Sequence, residues 1–241
     1  FNITGAMALL PLAPFCFLFW RMITMRVDIK EVKMTYLPPT TVWGVGINDR
    51  KHPTYEVVDG KKKPTKEYKL WTAMLQRVGD EKFSKGSYIG CGISEYFKVF
   101  SNFHSWCQNQ IGLNSVDDNG RAWQLDKDIL AGENKLYSEN VCVFVPYEVN
   151  MFLVSRAALR GKYPQGVCFH SVSKRYVAQI GSLDNKGQPI TLGAFKTVAE
   201  AFNCYKQVKE ARAKELAIKW KGRVDDRVIN VLLKYTVPVV E

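Results

Sequence analysis

A chain of 241 residues with 46% apolar side chains can bury one sizeable core or two small ones. Its formal charge of +11 favours a polyanionic partner. The six cysteines form no Cys-x-x-Cys pair and no histidine stands at finger spacing from them, which excludes a zinc finger and fits a reduced, cytoplasmic setting.

The charge is unevenly spread. Residues 161–241 hold 14 Lys and Arg against 7 Asp and Glu, whereas residues 25–160 hold 19 against 16. This pattern predicts a basic module attached to a nearly balanced one.

The first 24 residues form an apolar leader. Ala6 to Trp20 is almost wholly apolar, but it is short and broken by Pro11 and Pro14, and Arg21 follows the run instead of preceding it. We read it as lying upstream of the true start, at Met22 or Met25, with Met34 a later candidate; a hydrophobic anchor is the rival reading. No membrane association is expected for a chain starting at Met25.

From Thr35 to Asp59 the sequence is rich in Pro, Gly and Thr, and it ends on a Val-Asp-Gly turn signal. Lys61, Lys62 and Lys63 read as a solvated basic loop, a flexible connector in preference to a phosphate contact. Tyr68, Trp71, Met74, Leu75 and Val78 form one stripe and predict an amphipathic helix over Glu67–Val78. A second helix is predicted from Ser94, as N-cap, to Cys107, with Phe97, Phe100, Phe103 and Cys107 as its stripe and His104 a packing or surface residue beside it.

Val116–Gly120 is a turn signal. Trp123–Leu130 and Val141–Val145 read as two extended pieces joined by a polar loop, and Pro146 suits the first turn of a following helix. After a boundary at Gly161–Gly166, three strands are predicted at Gly166–His170, Arg175–Ile180 and Ile190–Phe195. Thr197 then caps a helix reaching Trp220. Val198, Ala201, Phe202, Tyr205, Val208, Ala211 and Leu216 supply its apolar face, and Lys206, Lys209, Arg212 and Lys214 its outer face. Residues 223–241 remain a tail without an assigned role. The fold class is thus α+β: a two-strand-plus-helix module with further helices over residues 35–160, then three antiparallel strands on one helix over residues 161–222.

A sheet covered by a helix on one side leaves its other face for solvent or a ligand. Alternation turns Tyr176, Ala178 and Ile180 towards the helix and Arg175, Val177 and Gln179 outward. An outward Arg and Gln on a twisted sheet have the donors and acceptors to read guanine and adenine edges in a major groove. The same pattern also describes an ordinary polar outer face.

The segments Gly166-Val167, Tyr176–Ile180, Leu192–Phe195 and Thr197–Phe202 resemble the AP2/ERF family of DNA-binding domains. The resemblance implies that the sheet docks on double-stranded DNA through Gln165, Cys168, His170, Arg175, Gln179 and Thr191. Plant members present several arginines and tryptophans where this chain has Cys168, His170 and Thr191, which implies backbone binding with modest specificity.

Trp71–Arg77, Tyr88–Cys91, Phe100–Trp106 and Leu125–Asn150 resemble, in that order, the HNH-type homing-like endonucleases of bacteriophages. That resemblance implies a Mg²⁺ or Mn²⁺ dependent hydrolysis of the DNA phosphodiester, and no small-molecule substrate. Asp126, Asp128 and Asn150 correspond to metal ligands, and Asp126, Lys127, Asp128 and Asn140 to catalytic positions. Asp126-Lys127-Asp128 stands where the family has a histidine. Two readings therefore stand: a nuclease in which an aspartate or Lys127 replaces the base, and a non-cleaving DNA-binding relative.

Overall fold

The computed structural model describes residues 38–80, 82, 88–132, 135–154, 162–181 and 189–238. The expectations for residues 1–24 lie outside them. The two N-terminal ribbons are antiparallel: β1 (Thr40–Val42) pairs with β2 (Gly46–Asn48), and β3 (Tyr55–Val58) with β4 (Lys61–Pro64). The lysines read as a connector therefore belong to a strand. Asp59 and Gly60 both have positive φ, the conformation a two-residue hairpin turn demands.

Helix α1 (Lys66–Gly79) starts where Thr65 accepts a hydrogen bond from the backbone N–H of Tyr68, and it buries Trp71, Met74 and Leu75. The helix predicted over Ser94–Cys107 is two pieces, α2 (Glu95–Lys98) and α3 (Phe100–Gln108), with Ser94 capping the first as expected. The break is at Val99, whose extended backbone bridges Ile47 of β2. Both pieces still turn one aromatic stripe inward, and Phe97, Phe100 and Phe103 are all fully buried.

The Val116–Gly120 turn is held by Asp117, whose Oδ1 accepts from the backbone N–H groups of Asn119 and Arg121. The first extended piece is shorter than predicted. Strand β6 (Gln124–Asp126) ends at Asp126 and the chain turns into α4 (Asp128–Ala131). The polar loop after it contributes β7 (Leu136–Tyr137), which lies parallel to β5 (Gly92–Ile93). Strand β8 (Val143–Val145) returns antiparallel to β6, and α5 (Tyr147–Leu153) follows directly after Pro146.

The C-terminal strands β9 (Val167–His170), β10 (Arg175–Ile180) and β11 (Ile190–Phe195) form an antiparallel meander in the order β11-β10-β9, within one residue of the predicted bounds. Helix α6 (Val198–Trp220) opens with a reciprocal capping box between Thr197 and Glu200. Its buried positions are Ala201, Tyr205, Lys209, Ala213, Leu216, Ala217 and Trp220, whereas Ala211 is exposed. Lys209 therefore faces inward, contrary to the expectation that charge marks the outer face.

The reason is that α6 serves two cores in succession. Its first turns pack Ala201 and Tyr205 on the sheet, against Val167, Ala178 and Ile180. Its last turns pack Ala213, Leu216, Ala217 and Trp220 into the large aromatic core built from α1, α3, β8 and α5. The predicted tail is not a tail either. Helix α7 (Asp226–Leu233), capped by Asp225, inserts Val228, Ile229 and Leu232 into that large core, and Val237 reaches the smaller one. Among the described residues no helix is long and apolar enough to cross a membrane.

Candidate functional site

The register of the C-terminal sheet decides which side chains share a face, because residues directly opposed in an antiparallel pair point the same way. Arg175 stands opposite His170, Val177 opposite both Cys168 and Ala194, and Gln179 opposite Thr191. Five of the six predicted contact residues thus lie on the face turned away from α6, together with Val177 and Ala194. None of the seven is buried, and His170, Thr191 and Ala194 are exposed. Gln165 lies just before β9, outside the paired register.

A bulge places Thr191 there. Between Ala178 and Gln179 the register slips, so Gln179 meets Thr191 instead of Leu192. Leu192 packs on the small core, and the outer face keeps a hydroxyl where regular pairing would present an apolar side chain.

At the β9–β10 turn, the His170 ring contacts the Ser173 hydroxyl at 2.8 Å, and its Nδ1 accepts from the backbone N–H of Ser173. Accepting that N–H leaves the proton of the neutral ring on Nε2. The next residue but three, Lys174, is exposed and adopts positive φ, bringing a second cation beside Arg175.

The second group of predicted residues sits around the β6–β8 pair. Asp126 Oδ1 accepts from the backbone N–H groups of Asp128 at 2.8 Å and Ile129 at 2.9 Å, so the carboxylate caps α4. Burial pushes its pKa up, and the two backbone hydrogen bonds oppose that shift only in part. Lys127 is buried, pairs with the exposed carboxylate of Asp128, and places its ammonium 5.4 Å from the centroid of Tyr137. Asp126 and Asp128 line an open cleft of about 460 Å³ with Ile129, Leu153, Val231 and Tyr235.

On α5, Asn150 donates from Nδ2 to Gln124 Oε1 at 2.7 Å, while its Oδ1 is buried with no hydrogen-bond partner. Gln124 is two residues from Asp126, on the same side of β6. Asn140 is exposed in the turn before β8, and its backbone carbonyl accepts from Arg227 at 2.6 Å. The structure thus brings Asp126, Lys127 and Asp128 together, sets Asn150 against the neighbouring strand position, and leaves Asn140 outside the cleft.

For a hard dication Asp126 and Asp128 supply oxygen donors in the cleft, whereas the orphaned amide oxygen of Asn150 belongs to a residue that does not line it. The Lys127 ammonium already balances one of the two negative charges. Among the described residues no three His, Cys, Asp or Glu side chains converge on a common point.

His104 does not join this group. It stacks on His52 with ring centroids 3.8 Å apart, and burial, followed by His52, lowers its pKa. Arg77, by contrast, was not expected at this site. Burial works against its charge, but Tyr137, which it contacts at 3.2 Å, with Tyr88 and Asp126, more than offsets that and raises its pKa. Its place in the Trp71–Arg77 run was the available signal. Val231 and Tyr235 come from the segment left without a role, and nothing local marks them as cleft residues.

No protein-family model, curated protein or solved structure matches the chain.

Proposed function

We propose that this protein binds double-stranded DNA through the outer face of the β9–β10–β11 sheet. The observation that carries this reading is the shared face of Cys168, His170, Arg175, Gln179 and Thr191, opposite the helix-covered side. Arg175 and Gln179 supply the bidentate groups suited to guanine and adenine. Cys168 and Thr191 offer little base discrimination, so backbone contacts dominate and specificity is modest. The excess of 14 basic over 7 acidic residues in residues 161–241 supports a polyanionic partner.

The test is fluorescence anisotropy with a labelled duplex at low salt, comparing the wild type with Arg175→Ala/Gln179→Ala. The expected result is at least a tenfold loss of affinity with an unchanged melting temperature. Equal affinity of the two proteins would remove the sheet from the interface.

A second reading rests on a separate observation, the strand pair and helix around a cleft bearing Asp126 and Asp128. It makes the protein a metal-dependent endonuclease of the phage or mobile-element type. Mg²⁺ or Mn²⁺ would be held by Asp126 and Asp128 with Asn150, and when bound would offset charge on the scissile phosphate. Lys127 would hold Asp128 in place, and Arg77 would add positive charge beside Asp126. Supercoiled plasmid incubated with either metal is nicked or linearised by the wild type on this reading, and not by Asp126→Ala/Asp128→Ala. No cleavage with DNA binding intact leaves a non-cleaving DNA-binding protein; loss of binding in the variant marks the aspartates as structural.

A further inference from the structure

The β3–β4 ribbon is the part of the described protein with the least internal reason to be where it is. Its strands are exposed along nearly their whole length, with only Val58 half-buried. A two-stranded hairpin without a covered face is marginal by itself. It is anchored at its base: the N–H of Thr65 donates to the carbonyl of Thr54 at 3.0 Å, and the Tyr55 ring lies 6.0 Å from that of Tyr68 on α1. Beyond that anchor the strands run to the Asp59-Gly60 turn and are exposed except at Val58.

The ribbon carries three lysines against Glu56 and Asp59, together with exposed apolar groups. Lys61, Lys62 and Lys63 follow one another along β4, and the pairing sets Lys62 opposite Val57, which is 75% exposed. On that same face the Lys62 ammonium stands 4.7 Å from the centroid of the half-exposed Tyr55 ring. The opposite face presents Lys61 and Lys63 with Glu56 as the opposed acid. Lysines on a strand edge suppress pairing with other chains. Three in succession, on both faces of one short ribbon, exceed what an edge of four residues needs for that purpose.

We propose that the β3–β4 ribbon is a second contact with duplex DNA, in which Lys61, Lys62 and Lys63 engage backbone phosphates of the duplex held by the C-terminal sheet. The inference rests on the DNA-binding reading above. Charge complementarity commits it to the phosphate backbone: a ribbon showing cations on both faces and few base-reading groups positions a duplex without reading its sequence.

The experiment measures binding of the full chain to a labelled duplex from 50 to 300 mM salt. The wild type is compared with Lys61→Gln/Lys62→Gln/Lys63→Gln and with Arg175→Ala/Gln179→Ala. The lysine variant is expected to keep the wild-type melting temperature, because its three positions are exposed. It should bind roughly 10–100-fold more weakly at 0.1 M salt, on every duplex sequence alike, with a log K against log salt slope shallower by about 2–3.

Unchanged affinity and slope, with the Arg175 and Gln179 variant impaired, would overturn the ribbon contact alone. Absence of duplex binding by the wild type would overturn both readings. A variant that loses adhesion to anionic phospholipid vesicles while its duplex binding stays intact would reassign the ribbon to a membrane surface and overturn the proposal.

Discussion

The side-chain amine of Lys209 donates a 2.8 Å hydrogen bond to the backbone carbonyl of Phe152 and sits 3.6 Å from the centroid of the same residue's ring. This contact ties the middle of α6 to the last turn of α5. The carbonyl at a helix C-terminus has no partner within its own helix, so the amine satisfies a group that burial would otherwise orphan.

Burial, with a smaller push from Arg212, lowers the Lys209 pKa from 10.5 to about 8. Between those values the unfolded chain holds a proton that the folded chain has released. The linked stability therefore rises with pH across that window, and the penalty is fully present below pH 8. In urea unfolding at pH 7.5 and pH 10, the wild type should gain on Lys209→Met by on the order of 2–3 kcal/mol. Parallel pH dependences of the two proteins would place the amine in solvent.

Gly166 shows how tightly the sheet rides on the same helix. Its φ is +78°, and a β-carbon there would lie 2.1 Å from Cδ2 of Tyr205. Gly166→Ala therefore combines a disfavoured backbone with an aromatic clash and should cost about 2–4 kcal/mol in chemical denaturation. Gly60→Ala is the control: the same sign of φ, but nothing within 4 Å of the added carbon. A Gly166→Ala protein no less stable than Gly60→Ala would show that the Tyr205 ring can swing away.

Asp126 separates stability from activity. Its folded pKa is raised by burial, so the linked stability is fully present below the ordinary value of 3.8 and is lost as pH rises through the folded value. At pH 7 the charged form carries a penalty. Asn at this position keeps an acceptor for the N–H groups of Asp128 and Ile129 while removing the charge. Asp126→Asn should thus match or exceed the wild type in stability at pH 7, an advantage that fades on acidification toward pH 4. Any metal-dependent cleavage should disappear in the same variant. A variant clearly less stable at pH 7 would mean that the charge itself holds α4.

Local rules carried the C-terminal sheet. The alternation of Arg175 to Ile180 and the Thr197 cap act over a few residues, so strand bounds and helix start could be read directly. They also identified Arg175 and Gln179 as outward, but not why Thr191 joins them, since a bulge is a property of two strands together. Lys209 was misplaced for a related reason. Helical periodicity assigns a charged residue to solvent unless a second layer covers it, and that layer is Phe152, 57 residues away. The β3–β4 hairpin had a legible turn at Asp59-Gly60, but the following lysines look like connector because nothing buries them. Arg77, Val231 and Tyr235 reach the Asp126 region only through long-range packing.

Residues 223–238 follow the last helix expected from the sequence, yet they pack into the core. Asp225 accepts from the N–H of Arg227 and starts α7, which then places Val228, Ile229 and Leu232 against the core. Leu232 is fully buried, while its neighbour Leu233 is 50% exposed. Deleting the Leu232 side chain leaves a cavity in a core that also holds Trp220, so Leu232→Ala should cost about 2–5 kcal/mol. Leu233→Ala, with most of its contacts to water, should stay within about 0.5 kcal/mol of the wild type. If residues 223–241 were a passenger, both variants would unfold with the wild-type midpoint. A large difference between adjacent leucines would instead show that the C-terminal sheet and the Asp126 cleft share one structural support, because α7 contributes Val231 to that cleft and packs along α6.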